Sequence, residues 1–220
     1  MIRVWGRRSS ANVQKVLWTL GELDLPFSRE CVGGSFGGNR DADFLRMNPN
    51  GLIPVIQDGD VTMFESNAIV RYLTARYRAE LLRPHDHRAL AAAEQWMEWQ
   101  HQHVAFHVGV VFYNLVRLPP AKRNEAAIAE SRRAVAEAIR IADEHLARHE
   151  WFAGENFTFG DIVMGVFLWR YIGMGHDVSN VPHLHAWFDA TVRREAFAEH
   201  VKLPVAKNLE EWAKIEKELG

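Results

Sequence analysis

The pattern of apolar and polar residues divides the chain into two parts near residue 80. In the first part, short apolar runs of strand length alternate with segments in which apolar residues recur every three or four positions. Val13, Val16, Leu17 and Leu20 form one such helical face. The pattern predicts the order βαβαββα, with strands at 2–5, 26–32, 55–57 and 61–64 and helices at 10–22, 40–47 and 66–78.

The second part of the chain has only helical patterns. It follows a short linker at 79–86, which contains Pro84 and charges of both signs. Predicted helices cover 87–117, 121–149, 158–173, 184–191 and 209–219, and Pro119 and Pro120 end the first of them. We therefore expect an α/β domain at residues 1–79 followed by an all-helical domain at residues 87–220.

Composition excludes several classes of protein. The chain has 220 residues, 48% of them hydrophobic, and a formal net charge of −2, so no global field favours nucleic acid or an anionic membrane. No run approaches the ~18 uninterrupted apolar residues of a membrane span, and the N-terminus does not resemble a secretory signal. Cys31 is the only cysteine, which excludes an intramolecular disulfide and fits a reducing compartment. We expect a cytoplasmic protein in which Cys31 is a small buried residue.

Pro54 raises the first question about function, because it stands at the start of a predicted strand. Proline has no N–H for a sheet ladder, so it is tolerated on an edge strand. The alternative is a cis bond between Ile53 and Pro54. Cis bonds make up only about 5–6% of X–Pro bonds in folded proteins, so Pro54 alone favours the edge interpretation.

The sequence Glu65-Ser66-Asn67 follows the predicted hairpin, where the third helix should begin. Ser66 is a suitable N-cap. The unpaired N–H groups and the dipole of a helix N-terminus bind carboxylates, and Glu65 beside them can pair with an ammonium group. This corner therefore suits a γ-glutamyl peptide, which carries an amino group, a carboxylate and a peptide bond.

Two segments carry a resemblance to a known family. "NPNGLIPVIQDGDVTMFESNAIVRYL" and "SSANVQKVLWTL" resemble the cytosolic glutathione transferases, in particular the serine-type, theta/beta-like bacterial class. The resemblance implies a thioredoxin-like first domain with a cis proline, a homodimer, and glutathione as co-substrate. It also implies that Ile53, Pro54, Glu65 and Ser66 bind glutathione, Ile53 through its backbone. Asn39 or Arg40 would then lie near the glycyl carboxylate.

The loop between the first strand and the first helix should hold the thiol. Members of the family place a Tyr, Ser or Cys there, and this loop contains neither Tyr nor Cys. We assign Ser10 to stabilise the glutathione thiolate by a hydrogen bond, with Ser9 as the alternative and Asn12 as a second donor. Both serines also suit helix capping, and we expect capping and function to coexist. The missing cysteine favours conjugation over disulfide exchange.

The helical part should supply the electrophile pocket. The resemblance implies that His103, Phe106, His107, Val110 and Tyr113 line it. His103 and His107 are four residues apart, as zinc ligands can be, but no H-E-x-x-H motif occurs and we predict no metal. Thr158 and Asp161 resemble a capping box, preceded by Phe157 where a hydrophobic staple belongs, which indicates a role in folding.

The predicted function is conjugation of the glutathione thiolate to small hydrophobic electrophiles. The alternative from another class is a glutathione-transferase-like scaffold that binds without catalysis. Ser10, Glu65 and Ser66 favour the enzyme. The amphipathic tail at 209–219 either covers the cleft or packs outside it.

Overall fold

The computed structural model describes residues 1–77, 80 and 82–219. Within these residues, four strands form one mixed sheet in the order β2-β1-β3-β4. The strands are β1 Ile2–Trp5, β2 Phe27–Glu30, β3 Val55–Asp58 and β4 Val61–Phe64. β1 runs parallel to β2 and antiparallel to β3, which in turn pairs antiparallel with β4. The mixed sheet confirms the predicted α/β architecture.

Three helices accompany the sheet: α1 Ala11–Glu22, α2 Ala42–Met47 and α3 Ser66–Arg76. The order βαβαββα is therefore confirmed. The predicted end of α3 at residue 78 and two linker residues, 79 and 81, lie outside the described residues. The second strand is shorter than expected and ends at Glu30.

Asp-Gly is a favoured two-residue turn, which predicts a hairpin loop at Asp58 and Gly59, but the loop lies one residue later. Asp58 pairs with Val61, so the two loop residues are Gly59 and Asp60. Gly59 has a φ of +60°, which glycine adopts at little cost. The Asp58 carboxylate accepts hydrogen bonds from the hydroxyls of Tyr72 at 2.8 Å and Tyr77 at 2.6 Å, which fastens the hairpin to α3.

The remaining elements of the described chain are helical, as predicted, although one of them, Glu195–His200, was not among the predicted helices. Its α-helices are α4 His87–Gln100, α5 Phe106–Phe112, α6 Glu125–Leu146, α7 Phe159–Gly173, α8 Pro182–Val192, α9 Glu195–His200 and α10 Leu209–Leu219. The expected single helix at 87–117 is continuous but contains two π-helical segments, His101–Ala105 and Tyr113–Arg117. π-Helical turns inside α-helices often occur near functional sites.

The core runs through both parts of the chain. Trp18 of α1 is fully buried, and its ring centroid lies 5.7 Å from that of Phe157 and 4.9 Å from that of Phe197. A Cβ atom at Gly165 of α7 would lie 2.9 Å from the Trp18 ring, so glycine permits this close approach. The packing fixes α1, and with it the loop from β1 to α1, against the helical part. The division of the chain at residues 79 and 87 stays a prediction.

Asp161 confirms the predicted capping box at the start of α7. Its buried carboxylate accepts from the backbone N–H groups of Phe152 at 3.0 Å and Thr158 at 2.8 Å, and from Trp187 Nε1 at 2.9 Å. Burial raises the pKa of Asp161 to about 6. These donors favour the carboxylate form, so Asp161 joins α7, α8 and the preceding loop through one ionised group.

No helix of the described residues is long and apolar enough to cross a membrane.

Candidate active site

The chain around Pro54 has the cis bond that the sequence offered as the alternative to an edge strand. The Ile53–Pro54 bond is cis, and β3 lies inside the sheet between β1 and β4, so the edge interpretation is wrong. The backbone N–H and C=O of Ile53 make no hydrogen bond to any other residue in the described part of the chain. Both groups are therefore available to an extended ligand.

Glu65 takes the N-cap position of α3, so the prediction that Ser66 is the N-cap is wrong. Glu65 is exposed and has φ +70° and ψ 106°. Positive φ is uncommon for a residue other than glycine and costs about 1–3 kcal/mol, and such strain clusters at functional sites. Ser66 is the first helical residue, and its hydroxyl donates to the Asn12 side-chain oxygen at 3.3 Å.

A shallow cavity of about 50 Å³ joins the predicted glutathione residues. It is lined by Asn12, Asn48, Leu52, Ile53, Pro54, Glu65 and Ser66. The loop before Ile53, the start of β3 and the N-termini of α1 and α3 thus meet at one place. A larger cavity of about 840 Å³, between the linker and residues 153–158, shares no lining residue with it and carries no predicted chemistry.

Asn48 was missing from the sequence prediction, although it opens the "NPNG" segment of the motif. Its amide nitrogen donates to the carbonyl of Leu52 at 2.7 Å, and its side-chain oxygen accepts from the N–H of Asn50 at 3.1 Å. These bonds fix the loop that leads to Pro54. Asn48 therefore positions the backbone of Ile53.

Lys15 was also missed, and it lies beneath the start of α3. It is only 1% exposed, and its Nζ donates to the Asn67 side-chain oxygen at 2.7 Å. Burial lowers the pKa of Lys15 to about 7, and the charge of Glu65 partly opposes this shift. The apolar stripe of α1 did not reveal this, because Gln14 and Lys15 are buried although they lie outside the stripe.

The two candidate serines lie in different surroundings. Ser10 occupies the N-cap position of α1 with φ −84° and ψ 123°, but its hydroxyl makes no capping bond, so the expected side-chain cap is wrong. It is half-buried and stands two residues before Asn12, although it does not line the shallow cavity. Ser9 is 4% exposed, its hydroxyl is buried with no partner in the described chain, and the residue lines a small cavity with Phe112 and Arg170. The structure therefore does not bring Ser9 to the glutathione corner.

Asn39 and Arg40 tie down the loop before Ile53. The Asn39 amide donates to the carbonyl of Gly51 at 2.7 Å, and Arg40 Nη1 donates to the carbonyl of Asn50 at 3.3 Å. Arg40 is exposed at the edge of this loop and does not line the shallow cavity. A part for Arg40 in glutathione binding stays a proposal.

The five predicted pocket residues lie along one helical rod. His103, Phe106 and Tyr113 are exposed, while His107 and Val110 are half-buried. None of the five lines the shallow cavity. His107 Nδ1 lies 3.3 Å from Ser131 Oγ of α6, and the His103 ring lies 5.6 Å from that of Trp99. The two histidines thus have different neighbours, and no group of three or more His, Cys, Asp or Glu in the described chain is arranged to hold a metal.

Cys31 does not have the predicted environment. It is half-buried rather than fully buried. It follows β2 directly, at a position where the chain passes the β1–α1 loop, since Arg7 N–H donates to the carbonyl of Val32 at 3.1 Å.

Comparison with known proteins identifies the family. The model of the glutathione S-transferase N-terminal domain matches residues 9–76, and that of the C-terminal domain matches residues 101–195. The chain belongs to the glutathione S-transferase family. It is 41% identical over 209 residues to glutathione S-transferase GstB of Escherichia coli K12, covering 94% of this chain and 100% of that protein. It is 34% identical to glutathione S-transferase 3 of Zea mays, covering 91% and 93%.

Solved glutathione S-transferase structures share the fold. A theta class enzyme from Xanthomonas axonopodis pv. citri, crystallised with glutathione bound, has a TM-score of 0.88 and 36% identity, covering 93% of this chain and 99% of that one. Poplar glutathione transferase F1 has a TM-score of 0.83 at 25% identity, covering 91% and 96%. The predicted fold class, a thioredoxin-like domain followed by a helical domain, is confirmed.

The C-terminal helix of this glutathione S-transferase covers the β1–α1 loop. Trp212 and Glu216 of α10 are 8% and 5% exposed. Glu216 Oε1 lies 2.7 Å from Arg7 Nε, and Glu216 Oε2 accepts from the N–H of Ser35 at 3.3 Å. The tail therefore packs on the loop that carries Ser9 and Ser10, and none of its residues lines the shallow cavity.

Proposed function

We propose that this protein conjugates the thiolate of glutathione to small hydrophobic electrophiles, as a homodimer in the cytoplasm. The observation that carries the proposal is the shallow cavity in which Asn12, Ile53, Glu65 and Ser66 meet. The names of its relatives and the glutathione-bound Xanthomonas structure support the same chemistry.

The protein would bind glutathione through its charged ends and its peptide groups. The exposed carboxylate of Glu65 pairs with the γ-glutamyl ammonium group, and the N–H groups at the start of α3 with the Ser66 hydroxyl bind the γ-glutamyl carboxylate. The N–H and C=O of Ile53 pair with the cysteinyl residue as an added strand does. Arg40, at the loop edge, serves the glycyl carboxylate.

The reacting group is the thiolate, since a free thiol with a pKa near 8.5 is mostly protonated at neutral pH. The Ser10 hydroxyl donates a hydrogen bond to sulfur and favours the anion, and Asn12 supplies a second donor. The thiol proton leaves to solvent, the C–S bond forms, and the leaving group departs with its bonding electrons. The free hydroxyl of Ser10, which no helix N–H engages, supports this role.

The electrophile would bind on the surface of α5 and the flanking π-helical segments. Phe106 is 64% exposed and Tyr113 is 54% exposed, which is high for large apolar side chains. With Val110 and the polar edges of His103 and His107, they offer an apolar face for a small ligand. No metal takes part in the proposed reaction.

The decisive experiment measures the thiolate absorbance of bound glutathione against pH in the wild type, Ser10→Ala and Ser9→Ala. We expect a thiol pKa well below that of free glutathione in the wild type and in Ser9→Ala, and a normal value in Ser10→Ala. Conjugation rate should fall about 100-fold in Ser10→Ala with little loss of glutathione affinity. The reverse pattern would assign the role to Ser9.

Two other outcomes would change the proposal. Glutathione binding without a shift of the thiol pKa in the wild type would favour a non-catalytic scaffold. A monomeric sedimentation coefficient would contradict the homodimer.

A further inference from the structure

Three arginines that interact through their charges lie beneath the C-terminal helix, and a glutamate of that helix acts on two of them. Arg7 lies in the β1–α1 loop, Arg117 at the end of the second π-helical segment, and Arg170 in α7. Burial lowers the pKa of both Arg7 and Arg117, and the negative charge of Glu216 opposes this shift in each. Arg117 and Arg170 form no ion pair with any residue that the structure describes. The cluster thus holds three cations against one anion.

The cations are held close together despite their repulsion. Burial, together with the positive charges of Arg117 and Arg7, lowers the pKa of Arg170 to about 9. Two aromatic rings partly offset this, since the Arg117 guanidinium lies 4.8 Å from the Trp212 ring centroid and that of Arg170 lies 4.7 Å from the Phe112 centroid. A second anion would relieve the imbalance.

The position of Glu216 shows that a carboxylate fits here. One of its oxygens faces Arg7, and the other accepts from the backbone N–H of Ser35. Gly34 shapes the floor, because a Cβ atom there would lie 2.5 Å from Glu216 Oε1 and 3.0 Å from Arg7 Nε. Only glycine leaves room for the carboxylate at this point.

Glu216 is an imperfect occupant. Its Oε1 and the Nε of Arg7 are 2.7 Å apart, yet neither atom has a well-aligned hydrogen bond. The Nε of Arg170 is buried with no partner in the described chain, and Arg170 lines a cavity of about 10 Å³. Unpaired buried donors of this kind cost free energy, so a better aligned carboxylate can compete with Glu216.

The cluster adjoins the proposed reaction centre. Arg170 Nη2 donates to the carbonyl of Ser9 at 2.8 Å, and the carbonyl of Arg7 accepts from the N–H of Ser10 at 3.2 Å. A ligand carboxylate bound here would place the rest of that ligand near the Ser10 hydroxyl. The rings of Phe112 and Trp212 supply apolar walls.

We propose that Arg7, Arg117 and the N–H of Ser35 form a carboxylate-binding site, which Glu216 occupies in the free protein and which a carboxylate-bearing electrophile takes over. The proposal rests on the proposed function and names one substrate class for it. Binding moves Glu216, and with it α10, away from the site. Arg170 holds the adjacent loop and adds positive charge.

The test compares two aromatic electrophiles that share the same reacting carbon and differ in whether they carry a carboxylate: 4-chloro-3,5-dinitrobenzoate and its methyl ester. In both, the glutathione sulfur attacks the chlorine-bearing carbon, a C–S bond forms, chloride leaves with the C–Cl electrons, and the thiol proton goes to solvent. The full chain is assayed with saturating glutathione as wild type, Arg117→Met, Glu216→Gln and the control Arg133→Met, an exposed arginine of α6.

We expect Arg117→Met to lower kcat/KM for the benzoate about tenfold more than for the ester, because a charged hydrogen-bonding partner is lost. Glu216→Gln should raise kcat/KM for the benzoate several-fold relative to the ester, because it removes the internal competitor. Arg133→Met should leave the ratio unchanged. Equal losses for both electrophiles in Arg117→Met, with no gain in Glu216→Gln, would show a purely structural cluster and overturn the proposal.

Inhibition by the unreactive 3,5-dinitrobenzoate shows whether the site binds a carboxylate of the electrophile or one of glutathione. It should inhibit turnover of the ester competitively with the ester. Inhibition competitive with glutathione instead would mean that a carboxylate of glutathione uses this site, which overturns the electrophile assignment. If the wild type turned over neither electrophile, the proposed function itself would fail, whereas turnover of the ester without benzoate binding would refute only this inference.

Discussion

The hydroxyl of Ser66 donates to the side-chain oxygen of Asn12 at 3.3 Å and joins the first turns of α3 and α1. α3 begins at the proposed γ-glutamyl site, and α1 begins at the proposed thiol site. One hydrogen bond therefore sets the spacing between the group that binds the amino-acid end of glutathione and the group that faces sulfur.

Glu65→Gly should separate binding from folding. Glycine relieves the positive φ of Glu65, so we expect the free energy of unfolding to stay the same or rise by about 1 kcal/mol. Glutathione affinity, measured by calorimetry, should fall about 10–100-fold, since a charged partner is lost. Glu65→Gln is the matched control for charge alone. Unchanged affinity in both variants would refute the assignment of Glu65 to the γ-glutamyl ammonium group.

Lys15→Met should change how stability depends on pH. The pKa of Lys15 is lowered to about 7 in the folded state, whereas it is about 10.5 in the unfolded chain. Between these values the unfolded chain binds the extra proton, so this lysine makes the wild type more stable as pH rises. The stability of Lys15→Met relative to the wild type should therefore be greatest below pH 7 and decline towards pH 10.

Urea unfolding at pH 6, 8 and 9.5 would measure this difference, with the exposed Lys202→Met as a control that shows no trend. A difference independent of pH would show that Lys15 keeps its proton throughout. Glutathione affinity should also fall, because Lys15 Nζ holds Asn67 in the turn next to Glu65.

Asp161→Asn should lower the free energy of unfolding by about 3 kcal/mol. All of the groups around this carboxylate are donors, and an amide offers one acceptor oxygen and sets its own N–H₂ against another donor. Asp43→Asn, at an exposed ion pair with Arg46, should change stability by less than about 1 kcal/mol. Equal effects of the two substitutions in denaturant unfolding would contradict the proposed importance of the buried network.

Gly165→Ala should destabilise the packing of α1 on α7. The added methyl group would meet the Trp18 ring at 2.9 Å and Thr191 Cγ2 at 3.2 Å, and overpacking of this kind costs about 1–3 kcal/mol. Gly109→Ala is the matched control in α5, where an added Cβ meets nothing within 4 Å. Alanine should stabilise that helix by about 0.5–1 kcal/mol. Thermal unfolding should thus shift in opposite directions, and a shift of the same sign in both would refute the packing argument.

The order of helices and strands was largely predictable because it follows from local periodicity. The apolar face of α1, the Asp-Gly hairpin and the capping box from Thr158 to Asp161 each depend on residues that are close together in the sequence. The family motif around Pro54 also predicted the cis bond, which composition and propensity alone disfavoured. Small shifts arose where local signals compete, as at the hairpin loop and the N-cap of α3.

Other features depend on contacts between distant residues and left no local signal. Lys15 is buried because α3 and α7 enclose the polar side of α1, whereas the apolar stripe of α1 indicates burial of the opposite side only. Ser9 and Ser10 are adjacent and chemically identical in the sequence. Only Arg170 of α7, which binds the carbonyl of Ser9, distinguishes the buried hydroxyl from the available one.

The sequence by itself determined the elements, their order and the family, because periodicity, turn residues and motif spacing act over a few neighbouring positions. Tertiary structure alone decided which charges meet, because Arg7 and Glu216 are separated by most of the chain and come within 2.7 Å only when α10 packs on the β1–α1 loop. Burial then strengthens these charges' interactions, since water no longer screens them. The chemistry of the carboxylate site is therefore a property of the fold and not of any one segment.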